Sequence, residues 1–225
     1  MWACGLCRTP ADIILLVAPS RSPKGLRIKR AFDLAVLAGA HLALLPVWLL
    51  VWTLIPIAIV LDSGFPVFYG QERVGRDGKR FHALKFRTMV RDADRIGPAQ
   101  TERDDPRLTR VGRLLRRTAL DELPQVINIL RGEMSFVGPR ALSVADIDSM
   151  RASFPGLDAR FAVPAGLTGL AQVYAGRDDN EAKLRYDLKY IETRSLWLDL
   201  RLILQSALKT VGASWDESGA EGSES

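Results

Sequence analysis

Between Asp33 and Asp62 the chain carries no Asp, Glu, Lys or Arg, and residues 34–61 form one unbroken apolar stretch, long enough to embed in a bilayer. A buried helix of a soluble protein rarely runs so long. As a straight helix these 28 residues would reach about 42 Å, against a hydrocarbon core of about 30 Å. Pro46 lies in the middle, removes a backbone donor and predicts a bend. Each arm then measures about 18 to 22 Å, which favours a re-entrant hairpin that enters and leaves one leaflet. Arg21, Lys24, Arg27, Lys29 and Arg30 precede the stretch, and Arg73, Arg76, Lys79, Arg80, Lys85 and Arg87 follow it, so the positive-inside tendency holds both ends on the cytoplasmic side. A tilted, kinked crossing is the competing reading. Trp48 and Trp52 suit headgroup anchors or lipid-facing positions. The stretch starts too late for a secretory signal and lacks an A-x-A-like site, and the earlier run 13–18 is too short to span anything.

Beyond the apolar stretch the period changes. Residues 66–89 read as two strands around Arg76-Asp77-Gly78-Lys79, a hairpin whose basic residues face headgroups or gather phosphate, or are simply solvated. Residues 93–106 are polar, with Pro98 and Pro106, and predict a loop with one helical turn. From Arg107 to Arg117 arginines alternate with Leu108, Val111, Leu114 and Leu115 at helical spacing, giving one apolar and one cationic face. Next comes Thr118-Ala-Leu-Asp121-Glu122-Leu-Pro124-Gln125. Proline is tolerated in a first turn, so a helix is expected to begin near Asp121, with both carboxylates at its N-terminus, where the dipole favours an ionised acid and attracts phosphate. Such a pair is a helix cap, or a nucleophile beside a magnesium ligand. Residues 132–140 are expected to form a loop that brings Arg140 to an anion, and residues 164–172 a glycine-rich turn without Walker or dinucleotide spacing. Residues 187–211 predict one or two amphipathic helices on the core or in the membrane interface. Lys29 and Asp33, four apart, suit a pair that fixes the depth of the membrane helix, or an ordinary surface pair.

Composition changes this picture in two respects. The 225 residues are 48% hydrophobic and 25% charged, which excludes disordered, collagen-like and disulfide-scaffold classes. The net charge is +5, but the last ten residues hold four acids and no base, so the rest carries 31 basic against 22 acidic residues, or +9. An anionic partner is implied. Nucleic acid would suit the arginine helix, but the apolar stretch argues for membrane instead. A membrane-anchored accessory protein, with no catalytic use for Asp121, would also fit. Cys4 and Cys7 have no second pair and no nearby histidine, and read as reduced thiols in an unstructured N-terminus rather than a zinc site.

Several stretches in fixed order carry a resemblance: Lys29-Arg30-Ala-Phe-Asp33, Gln71-Glu-Arg-Val-Gly75, Lys85-Phe-Arg87-Thr-Met89, Leu120-Asp121-Glu122-Leu-Pro-Gln125, Asn128-Ile-Leu130, Ser135-Phe-Val-Gly-Pro-Arg140, Gly166-Leu-Thr-Gly169 and Lys189-Tyr-Ile-Glu192. From about Arg27 to Val211 the chain resembles the bacterial sugar transferases, the monotopic polyprenyl-phosphate phosphoglycosyl transferases, in their minimal form without further membrane helices. The resemblance implies an α+β fold: an N-terminal re-entrant membrane helix hairpin (27–62) broken near Pro46, and a mainly helical cytoplasmic catalytic unit with a small β-hairpin (63–215). Residues 1–26 stay unassigned and 216–225 form an acidic disordered tail.

It also implies transfer of a sugar 1-phosphate from a UDP-sugar to undecaprenyl phosphate at the bacterial inner membrane, with release of UMP, as the first membrane step of exopolysaccharide, capsule or O-antigen assembly. By motif match Asp121 is the nucleophile that forms a phosphosugar-aspartate and Glu122 helps bind Mg2+. Arg116, Arg140, Arg177, Lys85 and Arg87 become the expected phosphate or nucleotide contacts. Two departures stand out: Ala141 replaces a usual proline, and Leu170 stands where an aromatic is common.

Overall fold

The computed structural model describes residues 23–97, 105–151, 153–154, 156–176 and 179–211; Cys4, Cys7, the 13–18 run, Arg177 and the acidic tail lie outside them. Helices α1 (Pro23–Ala43) and α2 (Leu45–Ser63) share the apolar stretch. The break falls at Leu44, with φ −114° and ψ 25°, and Pro46 sits in the first turn of α2, where its missing N–H costs no helical bond. Across the joint the Leu44 N–H still donates to Ala40 O at 3.1 Å and the Trp48 N–H to Leu44 O at 2.9 Å. His41 stacks on Trp48, ring centroids 4.3 Å apart. Trp52 instead packs on Phe86 and Phe68 at 5.5 and 6.2 Å, so its ring faces protein and not headgroups. Among the described residues α2 is the one helix long and apolar enough to cross a membrane, and only 6% of that window is buried.

Strands β1 (Phe68–Val74) and β2 (Arg80–Phe86) pair antiparallel from Phe68↔Phe86 to Val74↔Arg80. The turn between them puts Asp77 at φ 57° and Gly78 at φ 72°, the left-handed pair that an Asp-Gly turn provides. Because directly opposed residues share a face, Arg73, Phe81, Gln71, Ala83, Tyr69 and Lys85 lie together, opposite the Phe68–Phe86 face that meets α2. A single turn, α3 (Ala93–Ile96), follows as expected. Helix α4 spans Arg110–Arg117 and not Arg107 onward. Leu108 bridges to Met89, Arg107 ion-pairs with Asp105 at 2.6 Å, and the Thr109 hydroxyl accepts from the Gly112 N–H at 2.9 Å, which starts the helix after it.

After α5 (Gln125–Arg131) the expected loop around Ser135 is a strand, β3 (Met134–Val137), which pairs in parallel with β4 (Ala165–Thr168). The glycines explain this: a Cβ on Gly166 would lie 2.1 Å from the Gly138 nitrogen, and one on Gly138 2.4 Å from Pro164 O. They permit backbone-to-backbone approach. Helices α6 (Val144–Arg151), α7 (Leu170–Tyr174), α8 (Asn180–Thr193) and α9 (Leu196–Val211) complete an α+β fold with two small sheets. The C-terminal amphipathic stretch is thus two helices.

The largest apolar cluster joins Val137, Ile147, Val163, Leu170, Leu188, Ile191 and Leu202, so Leu170 serves the core. A second cluster, with Phe81, Ala83, Ile129, Met134 and Ala165, includes Ala141. The third sets Ile59 and Trp52 of α2 against Phe86, Leu115, Leu120 and Leu123, and so seats the end of the apolar helix under the Asp121 turn. At the other end of the apolar pair, Lys29 Nζ lies 3.2 Å from Asp33 and 2.9 Å from buried Asp199, whose other oxygen is 2.8 Å from the Tyr190 hydroxyl. Arg30 donates to the carbonyls of Ile129 and Leu130. Lys29 and Asp33 therefore pair with each other and with the globular unit.

Candidate active site

The expected helix start at Asp121 is not what forms. Leu120–Glu122 make one isolated 3-10 turn and α5 begins at Gln125, with Pro124 as its N-cap. The turn is forced by Ala119, whose φ of 54° ends α4, a left-handed conformation that costs a residue bearing Cβ about 1–2 kcal/mol. Asp121 therefore gains little from the dipole of α5, and its environment is set by burial and by neighbours.

Asp121 is 7% exposed, and this burial pushes its carboxyl above the usual range; Lys85 and Arg116 pull against it, while Glu122 adds to the rise. Glu122 behaves oppositely. Burial alone would raise it, but Arg140 and Lys85 together hold it down to about 2. Lys85 Nζ donates to Glu122 Oε1 at 2.6 Å and lies 4.0 Å from Asp121 Oδ2. Arg140 Nη2 reaches the same Glu122 oxygen at 3.4 Å. The pair thus consists of one firmly ionised carboxylate bonded to two cations and one desolvated carboxylate that Lys85 approaches only to 4.0 Å.

Lys85, Arg140 and Arg116 are positioned by separate devices. Lys85 projects from β2, whose unpaired edge is covered by Asn128: its Oδ1 accepts from the Leu84 N–H at 2.9 Å, and its amide donates to His82 O at 2.8 Å and Glu133 at 2.6 Å. Arg140 follows β3, and its carbonyl accepts from Arg160 Nη2 at 2.8 Å, which also ion-pairs with buried Asp187 at 2.7 Å. Arg116 is held by the Thr88 hydroxyl, Nε to Oγ1 2.9 Å, and its charge acts on Asp121 and Glu122.

Arg87 does not join this group. Its Nη2 donates to Ser63 O, Ser63 Oγ and Gly64 O at 2.9, 2.8 and 2.5 Å, tying β2 to the end of α2. Alternation along β2 would put Arg87 on the Lys85 face, two residues on, but the strand pairing ends at Phe86 and Arg87 lies beyond it. Arg177 lies outside the described residues. Among these, no group of three metal-ligating side chains gathers. Two carboxylates are nonetheless what Mg2+ takes when substrate phosphates supply other ligands, and the cations hold Glu122 only through Oε1.

Sequence reasoning missed Arg73, which shares the Lys85 face of the hairpin, donates to Ala141 O at 3.1 Å and feels the charges of Arg140 and Glu122. Cross-strand register was the signal. It also gave Thr88 and Asn128 no role, although both lie in the motif stretches.

Comparison with known proteins places this geometry in a family. The family profile described as bacterial sugar transferase matches residues 24–213. The chain is 44% identical over 184 residues to a UDP-glucose:undecaprenyl-phosphate glucose-1-phosphate transferase of Caulobacter vibrioides, covering 79% of this chain and 67% of that one. It is 42% identical over 190 residues to the exopolysaccharide production protein PSS of Rhizobium leguminosarum bv. phaseoli, covering 78% and 91%. It is 39% identical over 189 residues to the Escherichia coli enzyme of the same name as the Caulobacter one, covering 81% of this chain and 40% of that protein. The match across nearly the whole described body, together with the Asp121–Glu122 cluster, makes this chain a member of the bacterial sugar transferase family of enzymes.

Proposed function

We propose that this protein transfers a sugar 1-phosphate from a UDP-sugar to undecaprenyl phosphate through a phosphosugar-aspartate on Asp121, and so initiates exopolysaccharide-type glycan assembly. The observation that carries this is the divergence of the two acids: a desolvated Asp121 beside a Glu122 that Lys85 and Arg140 keep ionised. A poorly hydrated carboxylate is a stronger nucleophile than a solvated one. In the first step an Asp121 oxygen attacks the sugar-bearing phosphorus, the bond to the α-phosphate breaks, and UMP leaves with the electron pair. In the second, an oxygen of undecaprenyl phosphate attacks the same phosphorus and the acyl-phosphate bond breaks. That step frees Asp121 and yields the lipid diphosphate sugar.

Lys85, Arg116 and Arg140 hold the phosphates in line and offset their charge. Mg2+ would be held by Glu122 together with the diphosphate, and would supply further neutralisation of the phosphate oxygens. The acceptor is lipid-borne, and the fold suits it: α2 ends in the same apolar cluster as the Asp121 turn. Both ends of the α1–α2 pair return to the globular unit, through Lys29 and Arg30 at one end and through Asp62, which accepts from the Val111 N–H at 2.9 Å, at the other. That arrangement supports a re-entrant hairpin over a crossing, and the basic residues on both sides of the apolar stretch support a catalytic unit on the cytoplasmic face of the inner membrane.

UMP release by the full chain in nanodiscs, with Mg2+ and undecaprenyl phosphate across a panel of UDP-sugars, tests the reading. Release with one donor is the expected result. Silence across the panel by folded protein would contradict it.

A further inference from the structure

A second cationic site lies where the apolar helix ends, beside the first turns of α4. An open cavity of about 390 Å³ is lined by Asp62, Ser63, Arg91, Thr109, Arg110 and Arg113, with Val90 and Leu108. Three arginines line it against one acidic residue. That carboxylate is engaged elsewhere, since Asp62 accepts the Val111 N–H, and among the described residues no ion pair joins it to any of the three arginines. Arg91 donates its Nε to Phe65 O at 2.5 Å, while the side chains of Arg110 and Arg113 have no bonded partner among the described residues. A fourth cation stands behind the wall: Arg87 is 6% exposed, donates through Nη2 to Ser63 and leaves buried Nε and Nη1 without partners. Charge of this density in so small a space calls for an anion.

The surroundings say what carries the anion. Leu61 and Phe65 beside the cavity are 82% and 63% exposed, and Leu114, next to Arg113 on the outer side of α4, is 62% exposed. Apolar side chains open to the outside next to unpaired arginines are the pattern of a surface at the depth of lipid headgroups. The acid-pair cations Lys85, Arg116 and Arg140 are absent from the lining, so this is a different site from the one that holds the sugar donor.

We infer that this cavity binds the phosphate of a membrane lipid, with Arg91, Arg110 and Arg113 as its ligands and the acyl or prenyl chain lying along Leu61, Phe65 and Leu114. The inference rests on the reading of α2 as membrane-embedded. Two lipids share the chemistry, an anionic phospholipid and the polyprenyl phosphate acceptor, and the test separates them.

The full chain in neutral detergent is titrated with phosphatidylglycerol, with undecaprenyl phosphate and with phosphatidylcholine, and bound lipid is read by native mass spectrometry. Arg110 and Arg113 are exposed, so Arg110→Ala/Arg113→Ala is expected to fold, as checked by an unchanged thermal midpoint; Arg110→Lys/Arg113→Lys keeps the charge and should retain part of the binding. Loss of phosphatidylglycerol retention by about tenfold or more in the alanine variant identifies a phospholipid site. The same loss confined to undecaprenyl phosphate identifies an acceptor site, and loss of both a site open to either. Retention of both anionic lipids at the wild-type level overturns the inference, as does equal binding of phosphatidylcholine by wild type and variant at the anionic-lipid level. Asp121→Asn run in parallel should retain lipid normally. Sedimentation of the wild type with cell membranes checks the embedding of α2, so failure of that reading is told apart from failure of the lipid site.

Discussion

Asn128→Asp exchanges one buried NH2 for an oxygen and leaves shape unchanged. Asn128 is wholly buried, and its amide nitrogen donates to His82 O at 2.8 Å and to Glu133 Oε2 at 2.6 Å. After the exchange three oxygens face one another. An ionised aspartate there is an unpaired buried charge, which costs about 3–5 kcal/mol; a protonated one can serve only one of the two acceptors and costs about 1–3 kcal/mol. For a chain of this size each kcal/mol moves the thermal midpoint by about 2–4 °C, so a drop of roughly 6–20 °C is expected near pH 8. The new carboxyl has a raised pKa in the folded state, so its penalty shrinks as pH falls through that value. Thermal unfolding of the detergent-solubilised full chain, followed by tryptophan fluorescence at about pH 8 and pH 5, is the assay. A midpoint within about 1 °C of wild type at both pH values would refute the role given to Asn128 as the cover of the β2 edge.

Two further outcomes follow from the same geometry. Gly166→Ala places a Cβ 2.1 Å from the Gly138 nitrogen, so β3 and β4 must separate; a loss of about 2–3 kcal/mol or more in chemical denaturation is expected, with turnover falling because Arg140 follows β3. Glu122, held at about 2 against a usual 4.5, contributes stability that is present above pH 4.5 and lost as pH falls through about 2. Lys85→Gln removes part of that stabilisation, so the stability gap between wild type and variant should be widest near neutrality and close in acid, as read by denaturant midpoints across pH.

The long apolar stretch, the Asp77-Gly78 hairpin and the Lys29–Asp33 pair were legible because each depends on local sequence: hydropathy, turn chemistry and helical spacing. The Asp121 turn was not. A proline three residues on is equally compatible with a first turn and with a cap, and the left-handed Ala119 that separates the two has no sequence signal, since glycine or asparagine would have been expected there. Gly138 and Gly166 look like loop formers in the sequence because glycine marks both a turn and a close backbone crossing, and only the parallel pairing of β3 and β4, some 30 residues apart, decides. Of the site residues, Lys85 and Arg140 meet Glu122 and Arg116 acts on Asp121, whereas Arg87 turns to Ser63. The difference lies in where β2 ends, which composition does not encode.

The central claim is tested most directly by trapping. Wild-type protein in nanodiscs is mixed with a UDP-sugar labelled at the β-phosphate, without undecaprenyl phosphate, quenched, and digested. The account predicts label on the peptide containing Asp121, released by hydroxylamine, discharged on adding acceptor, and absent from Asp121→Asn. Wild-type turnover without any trapped label, or sustained UMP release by Asp121→Asn, would contradict it.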